Sequence, residues 1–208
     1  MYLFTRQVQL RGTAALEWAS NITENVKSVS DHHVELWGRM WSPSFGTVTW
    51  SAWFASLVEL ESFGDRLEAD ASYQDLAAHA AEHATGEIDD GLAQLVSGTY
   101  DPGRAVTHAG FVSAVAAGGQ IERAMAAGID IAETASGITG TNTLFLREMT
   151  GSYAGVGWLT GFEGIAEYEA AQDALASDPS WLKLIDSTEG AFAEDVSATQ
   201  QTIHRQLA

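Results

Sequence analysis

The stretch Leu36–Leu76, LWGRMWSPSFGTVTWSAWFASLVELESFGDRLEADASYQDL, decides the fold when it is read against Leu144–Leu184, LFLREMTGSYAGVGWLTGFEGIAEYEAAQDALASDPSWLKL. At a constant offset of 108 positions the two share 13 identities in 41 pairs, among them Leu36/Leu144, Arg39/Arg147, Val48/Val156, Trp50/Trp158, Phe54/Phe162, Glu59/Glu167 and Asp70/Asp178. Chance would give roughly three, so the chain reads as a duplication.

Working outward, residues 34–41 and 47–55 are rich in Trp, Val and Thr and flank the turn cluster Ser42-Pro43-Ser44-Phe45-Gly46, which predicts an antiparallel hairpin. Leu57, Leu60, Gly64 and Leu67, repeated as Ile165, Tyr168, Gln172 and Leu175, have the spacing of an amphipathic helix. A second helical run, Tyr73 to Ala84, starts behind Asp70, and its repeat starts behind Asp178-Pro179, where Asp caps and Pro suits the first turn. Upstream, residues 2–10 alternate as a strand with 108–116 as the counterpart, and 13–30 form a helix for which Thr13 is the expected N-cap. Residues 91–97 and 198–206 are expected as closing strands, the second also readable as a helix. The modules are then 1–98 and 107–208, joined by a linker over 99–106 that includes Asp101-Pro102-Gly103.

Composition narrows the function. The 208 residues are 46% hydrophobic and 18% charged, with no Cys, so a packed core can form and disulfides, thiolate metal sites and iron–sulfur clusters are excluded. Ten Lys and Arg against 28 Asp and Glu give a formal charge of −18, which repels nucleic acid and anionic membranes. The acidic helix run Glu59, Glu61, Asp65, Glu68 and Asp70 reads as a solvated face. No basic flank followed by an apolar run opens the chain, and no 18-residue apolar stretch occurs, so a cytoplasmic location is expected.

Strand alternation sorts the hairpin side chains. Val48, Trp50, Ala52 and Phe54, with Val156, Trp158, Thr160 and Phe162, form the expected helix-packed face. The other face carries Glu35, Trp37, Arg39 and Trp41, then Thr47, Thr49, Ser51 and Trp53, with Thr5, Gln7 and Gln9 on the first strand. Mixed aromatic and polar groups suit a ligand site, so Glu35, Trp37, Arg39, Trp41 and Trp53 are candidate ligand-binding residues, with Arg147 from the second module. Arg39 and Arg147 read either as structural, in a salt bridge or cation–π contact, or as guanidinium groups for a carboxylate, enolate or phenolate. Phe145, Arg147 and Met149 are expected on the matching face of module two, where Gly155, Gly157 and Gly161 leave space. His79-Ala80-Ala81-Glu82-His83 has the H-x-x-E-H pattern of inverted zinc proteases. A helical wheel turns all three groups mainly to solvent, so no metal site is expected. No G-x-S-x-G, P-loop or G-x-G-x-x-G is present.

The order strand, helix, strand, strand, helices, strand, present twice with Asp178-Pro179-Ser180-Trp181 at a helix start, resembles a tandem ferredoxin-like repeat of the dimeric α/β-barrel superfamily. The nearest resemblance is to its antibiotic-biosynthesis-monooxygenase-like and NIPSNAP-like families. The resemblance covers nearly the whole chain and implies an α+β fold whose antiparallel sheets pack face to face as an intramolecular dimeric barrel. It also implies a small-molecule ligand, apolar or aromatic and anionic, held between the sheets. A cofactor-independent monooxygenase or isomerase is one expectation, and a non-catalytic binding or oligomeric scaffold protein is the alternative. A third is a haem-binding protein using His32, His33 or His108. The Asn and Tyr that cofactor-free oxygenases pair with a Trp do not transfer: the first strand has no Asn, and Asn142 precedes its strand. Homo-oligomerisation is left open.

Overall fold

The computed structural model describes residues 1–42, 46–195 and 198–208. Most of the expected turn Ser42–Gly46 therefore lies outside the described residues. The chain is α+β, with antiparallel strand pairing, and divides into two compact units, Met1–Leu92 with Arg205–Ala208, and Ala93–His204.

The first unit holds β1 (Tyr2–Leu10), α1 (Ala15–Ser30), β2 (Val34–Met40), β3 (Thr47–Phe54), α2 (Leu57–Ala69), α3 (Ala71–Ala78), α4 (Ala80–His83) and the start of β4 (Ala84–Ser97). β3 lies between β1 and β2 and is antiparallel to both. The C-terminal residues continue onto β2, where the Leu207 N–H donates to the Leu36 carbonyl (2.7 Å) and the Leu36 N–H to the Ala208 carbonyl (2.9 Å). Gly38 faces the end of this segment, where a Cβ would come within 3.1 Å of the Leu207 side chain.

Helix starts follow the sequence signals where a side chain can cap. Ser56 accepts from the Glu59 N–H and the Glu59 carboxylate accepts from the Ala55 N–H, a reciprocal pair that sets the start of α2. Asp70 accepts from the Tyr73 N–H at the start of α3. Thr13 is not the cap of α1: the helix starts at Ala15 behind Ala14 without a side-chain cap, and Thr13 offers only its carbonyl, to the Leu16 N–H. The single helical run expected over 73–84 is broken at His79, and β4 begins at Ala84 rather than at 91.

The core of this unit lies between its helices and the Trp50 face of the sheet. Trp50 and Trp18 meet edge to face at 6.0 Å, and both indole N–H groups are satisfied, by the Thr23 hydroxyl and the Leu76 carbonyl. Val48, Trp50, Ala52 and Phe54 are buried on this face, as alternation requires.

The second unit holds the end of β4, β5 (His108–Val115), α5 (Ile121–Thr139), β6 (Thr143–Glu148), β7 (Gly155–Phe162), α6 (Ile165–Ser177), α7 (Pro179–Ser187) and most of β8 (Gln200–Gln206). β7 lies between β5 and β6, and β6 also pairs with Ala93–Ser97 of β4. Residues 200–206 are a strand, not a helix. Asp178 caps α7 through the Ser180 and Trp181 N–H groups, with Pro179 in the first turn.

One register differs from the ungapped repeat. Leu36 stands opposite Trp50, whereas Phe145 stands opposite Trp158. The tryptophans are 108 apart (158 − 50), their strand partners 109 (145 − 36). A one-residue slip moves every side chain of a strand to the other face. Phe145, expected on the ligand side, is instead fully buried in the helix-side core, with its ring 5.6 Å from Trp158. Arg147 shares that face. It is exposed and donates to the Gln94 side chain at 2.6 Å, so it is no counterpart of Arg39.

Candidate functional site

The candidate site is the face of the first unit's sheet that the helices do not cover. Cross-strand pairing arranges it in rows: Leu3 beside Trp53; Thr5, Ser51 and Glu35; Gln7, Thr49 and Trp37; then Gln9 beside Thr47. Arg39 follows Trp37 at the next position of the same face.

Trp37 is 7% exposed and its indole N–H donates to the Ser51 hydroxyl at 2.9 Å. Ser51 in turn points its hydroxyl at the Glu35 carboxylate (3.5 Å), whose other oxygen lies 3.4 Å from His33 Nε2. The indole plane is thereby held by a polar chain ending at a largely exposed imidazole. Next to it stand two groups without hydrogen-bond partners among the described residues, the buried Nε of Arg39 and the buried hydroxyl of Thr49. Such donors are costly to desolvate and leave unmet, and they mark where a ligand acceptor would be stabilised.

The remaining candidates sit differently. Trp53 is half-buried on the same face, and its carbonyl accepts from His32 Nε2 at 2.7 Å. Trp41 lies beyond the end of β2 with φ +45° and is 75% exposed, so it is not part of the row. Thr49 and Ser51 were visible in the alternation but do not stand out by residue type; what singles them out is the indole bond of one and the unmet hydroxyl of the other.

In the second unit the glycines leave no opening. A Cβ on Gly157 would fall 2.6 Å from the Phe111 ring, and one on Gly161 would fall 2.9 Å from Val106. A Cβ on Gly155 would fall on the Glu148 carboxyl. A surface depression of about 430 Å³ beyond the end of α7, lined by Ile185, Asp186, Glu189, Phe192 and Glu194, presents three carboxylates and no cation.

Among the described residues no group of three or more His, Cys, Asp or Glu gathers to hold a metal ion. His79 is exposed, with Nδ1 at the Asp75 carbonyl, as the wheel predicts. His83 departs from it: the break at His79 turns its ring onto Trp18, stacked at 5.2 Å, so it is half-buried rather than solvent-facing. Of the histidines considered for haem, His32 and His33 have Nε2 engaged, whereas His108 is held through Nδ1. His32 is stacked on Phe54 at 4.4 Å with Nε2 at the Trp53 carbonyl, His33 turns Nε2 to Glu35, and His108 Nδ1 is at the Thr107 hydroxyl.

No family model matches the chain, and no curated protein matches it. Solved structures do. A candidate monooxygenase from Fusobacterium nucleatum subsp. nucleatum aligns with TM-score 0.73 at 11% identity, covering 100% of this chain and 92% of that one. An anthrone oxidase-like protein aligns at 0.64 and 13%, covering 100% and 91%, and a haem-binding protein from Thermus thermophilus at 0.56 and 9%, also covering 100% and 91%. The likeness is one of fold. It agrees with the dimeric α/β-barrel resemblance of the sequence, and at these identities it carries no reaction over. Among the described residues no helix is long and apolar enough to cross a membrane.

Proposed function

We propose that the face of the first unit's sheet turned away from its helices binds a small apolar or aromatic anion, flat enough to pack against Trp37. The observation that carries this is the pair of buried, unmet donors, Arg39 Nε and Thr49 Oγ1, on the face where Trp37 is held by Ser51 and Glu35. An anionic oxygen would satisfy both donors, while the aromatic wall supplies apolar contact. The fold is one that candidate monooxygenases and an anthrone oxidase-like protein share, which supports a cofactor-independent oxygenase or isomerase acting on that ligand. A binding protein without catalysis uses the same residues. We further propose that residues 1–98 and 107–208 are tandem ferredoxin-like modules joined by 99–106, in a cytoplasmic protein.

The test is quenching of tryptophan fluorescence by a panel of aromatic carboxylates and phenols. Arg39→Ala should weaken a binder by about 2–5 kcal/mol, as loss of a desolvated charged partner does, and Arg147→Ala should leave it unchanged. If no compound binds, or Arg39→Ala binds as wild type does, the reading fails. Oxygen uptake with any binder identifies an oxygenase, conversion of the recovered compound without oxygen uptake identifies an isomerase, and neither identifies a binding protein; a Soret band in freshly purified protein would establish haem in place of this ligand.

A further inference from the structure

We infer that Glu148 is a proton-operated latch that holds the tip of the β6–β7 hairpin closed. Glu148 is the last residue of β6 and shares its face with the buried Leu144 and Leu146. Its carboxyl group folds back over Gly155, the first residue of β7, where a Cβ would lie within 2.6 Å of the carboxyl carbon. The missing side chain at 155 is the space the carboxyl fills. From there it accepts the backbone N–H of Ser152, inside the turn it closes. That turn is strained at Ala154, whose left-handed conformation (φ +62°) is unfavourable for a residue with a Cβ, whereas Gly151 adopts its φ of +89° freely.

Among the described residues no charge balances the group. β4 places Ala93 opposite Glu148 and β7 offers Gly155, neither of which titrates. Arg147 lies on the other face with Gln94, and Tyr153, the titratable residue of the turn, is 89% exposed. Burial therefore raises the proton affinity of this carboxyl above the usual range, more than the Ser152 N–H lowers it. The protonated form suits the half-buried position. The ionised form gains more from water, and it reaches water by leaving Gly155 and releasing Ser152. A group whose proton is held more tightly in the closed state stabilises that state at low pH and ceases to do so as pH rises through its closed-state value. The tip, with Met149 and Tyr153 exposed on it, thus loosens as the solution becomes less acidic.

Amide hydrogen exchange at Ser152 and Gly155 in the full chain, corrected for intrinsic base catalysis, tests this between about pH 4 and pH 8. Protection should fall with rising pH by up to about tenfold for each unit by which burial raises the carboxyl. Glu148→Gln should exchange without that pH dependence. Gly155→Ala, which evicts the carboxyl, should lower protection at every pH. Protection in wild type that does not change with pH overturns the inference, as does a Glu148→Gln variant that keeps the wild-type slope. The glutamine variant decides the matter by itself if Gly155→Ala does not fold.

Discussion

Gly128→Ala is the sharpest test of the packing described for the second unit. Gly128 lies inside α5, where alanine is normally better than glycine by about 1 kcal/mol. Here the added Cβ would overlap the Phe145 ring, with Cε1 at 2.9 Å and two other ring atoms nearer still. Phe145 has no exposed surface into which to retreat, and it is backed by Trp158 at 5.6 Å. Shifting the helix instead would stretch the 2.9 Å bond from the Trp158 indole N–H to the Gly128 carbonyl, worth about 1 kcal/mol. Overpacking of this kind costs about 1–3 kcal/mol. Adding the weakened indole bond and subtracting the propensity gain, each about 1 kcal/mol, leaves a net loss of about 1–3 kcal/mol, a fall in Tm of about 3–10 °C for a chain of this size. Gly137 of the same helix is the control: nothing lies within 4 Å of its added Cβ, so Gly137→Ala should raise Tm slightly. Thermal melts followed by circular dichroism read both. Phe145→Leu should restore part of the loss when combined with Gly128→Ala, because the two sites are in contact. A Gly128→Ala protein that melts at or above wild type would refute the placement of Phe145 on the helix side, and with it the one-residue slip of β6.

Thr49→Val replaces a buried hydroxyl that has no partner among the described residues with a methyl group, so it should stabilise the free protein by up to about 1 kcal/mol in denaturant melts while weakening any binder of the Trp37 face; a destabilised variant with intact binding would contradict the site. Glu167 supplies a pH prediction. Burial alone would raise its carboxyl, but the Glu163 N–H, the Thr141 hydroxyl and the Arg104 guanidinium together hold it below the usual range. A depressed carboxyl stabilises the fold above its ordinary range, and that stabilisation is lost as pH falls through the folded value. For a group this open to solvent the contribution should stay below about 1 kcal/mol. Glu167→Gln should lower Tm near neutrality and converge on wild type in acid, whereas a constant difference across pH would show that the ionised form is not what matters.

The elements that sequence reading places well are those whose signal is local. Asp70 and Asp178 cap where a short acceptor precedes a helical run, and Trp50 and Phe54 alternate into the core because period two leaves them no other face. The misses share a different cause. β4 over Gly86–Asp90 carries Glu87, Asp89 and Asp90 and is exposed along its length, so it has no apolar alternation to reveal a strand. His83 points inward because the helix breaks at His79, and a continuous wheel cannot represent a break. Within the site, the alternation placed Glu35, Trp37 and Trp53 on one face, but the link from Trp37 through Ser51 to Glu35 depends on rotamers that no pattern encodes.

The slip of β6 has the widest consequence, because it decides which chemistry each sheet can offer. Carried to the hairpin ends, the two registers leave one residue fewer in the turn before β7 than in the turn before β3. Identities such as Arg39/Arg147 then pair residues that face opposite ways, so likeness in letters overstates likeness in function. With β6 shifted, the face corresponding to Glu35, Trp37 and Arg39 is built from Leu144, Leu146 and Glu148; Leu144 and Leu146 stand opposite Leu159 and Gly157, Phe111 covers Gly157, and the Glu148 carboxyl is folded over Gly155. That face has apolar surface but no guanidinium, no carboxylate–hydroxyl chain and no indole donor. The first unit's sheet is therefore the one we propose to orient a polar anion. This is why Arg39 and Arg147, although matched in the repeat, should separate cleanly in the binding assay.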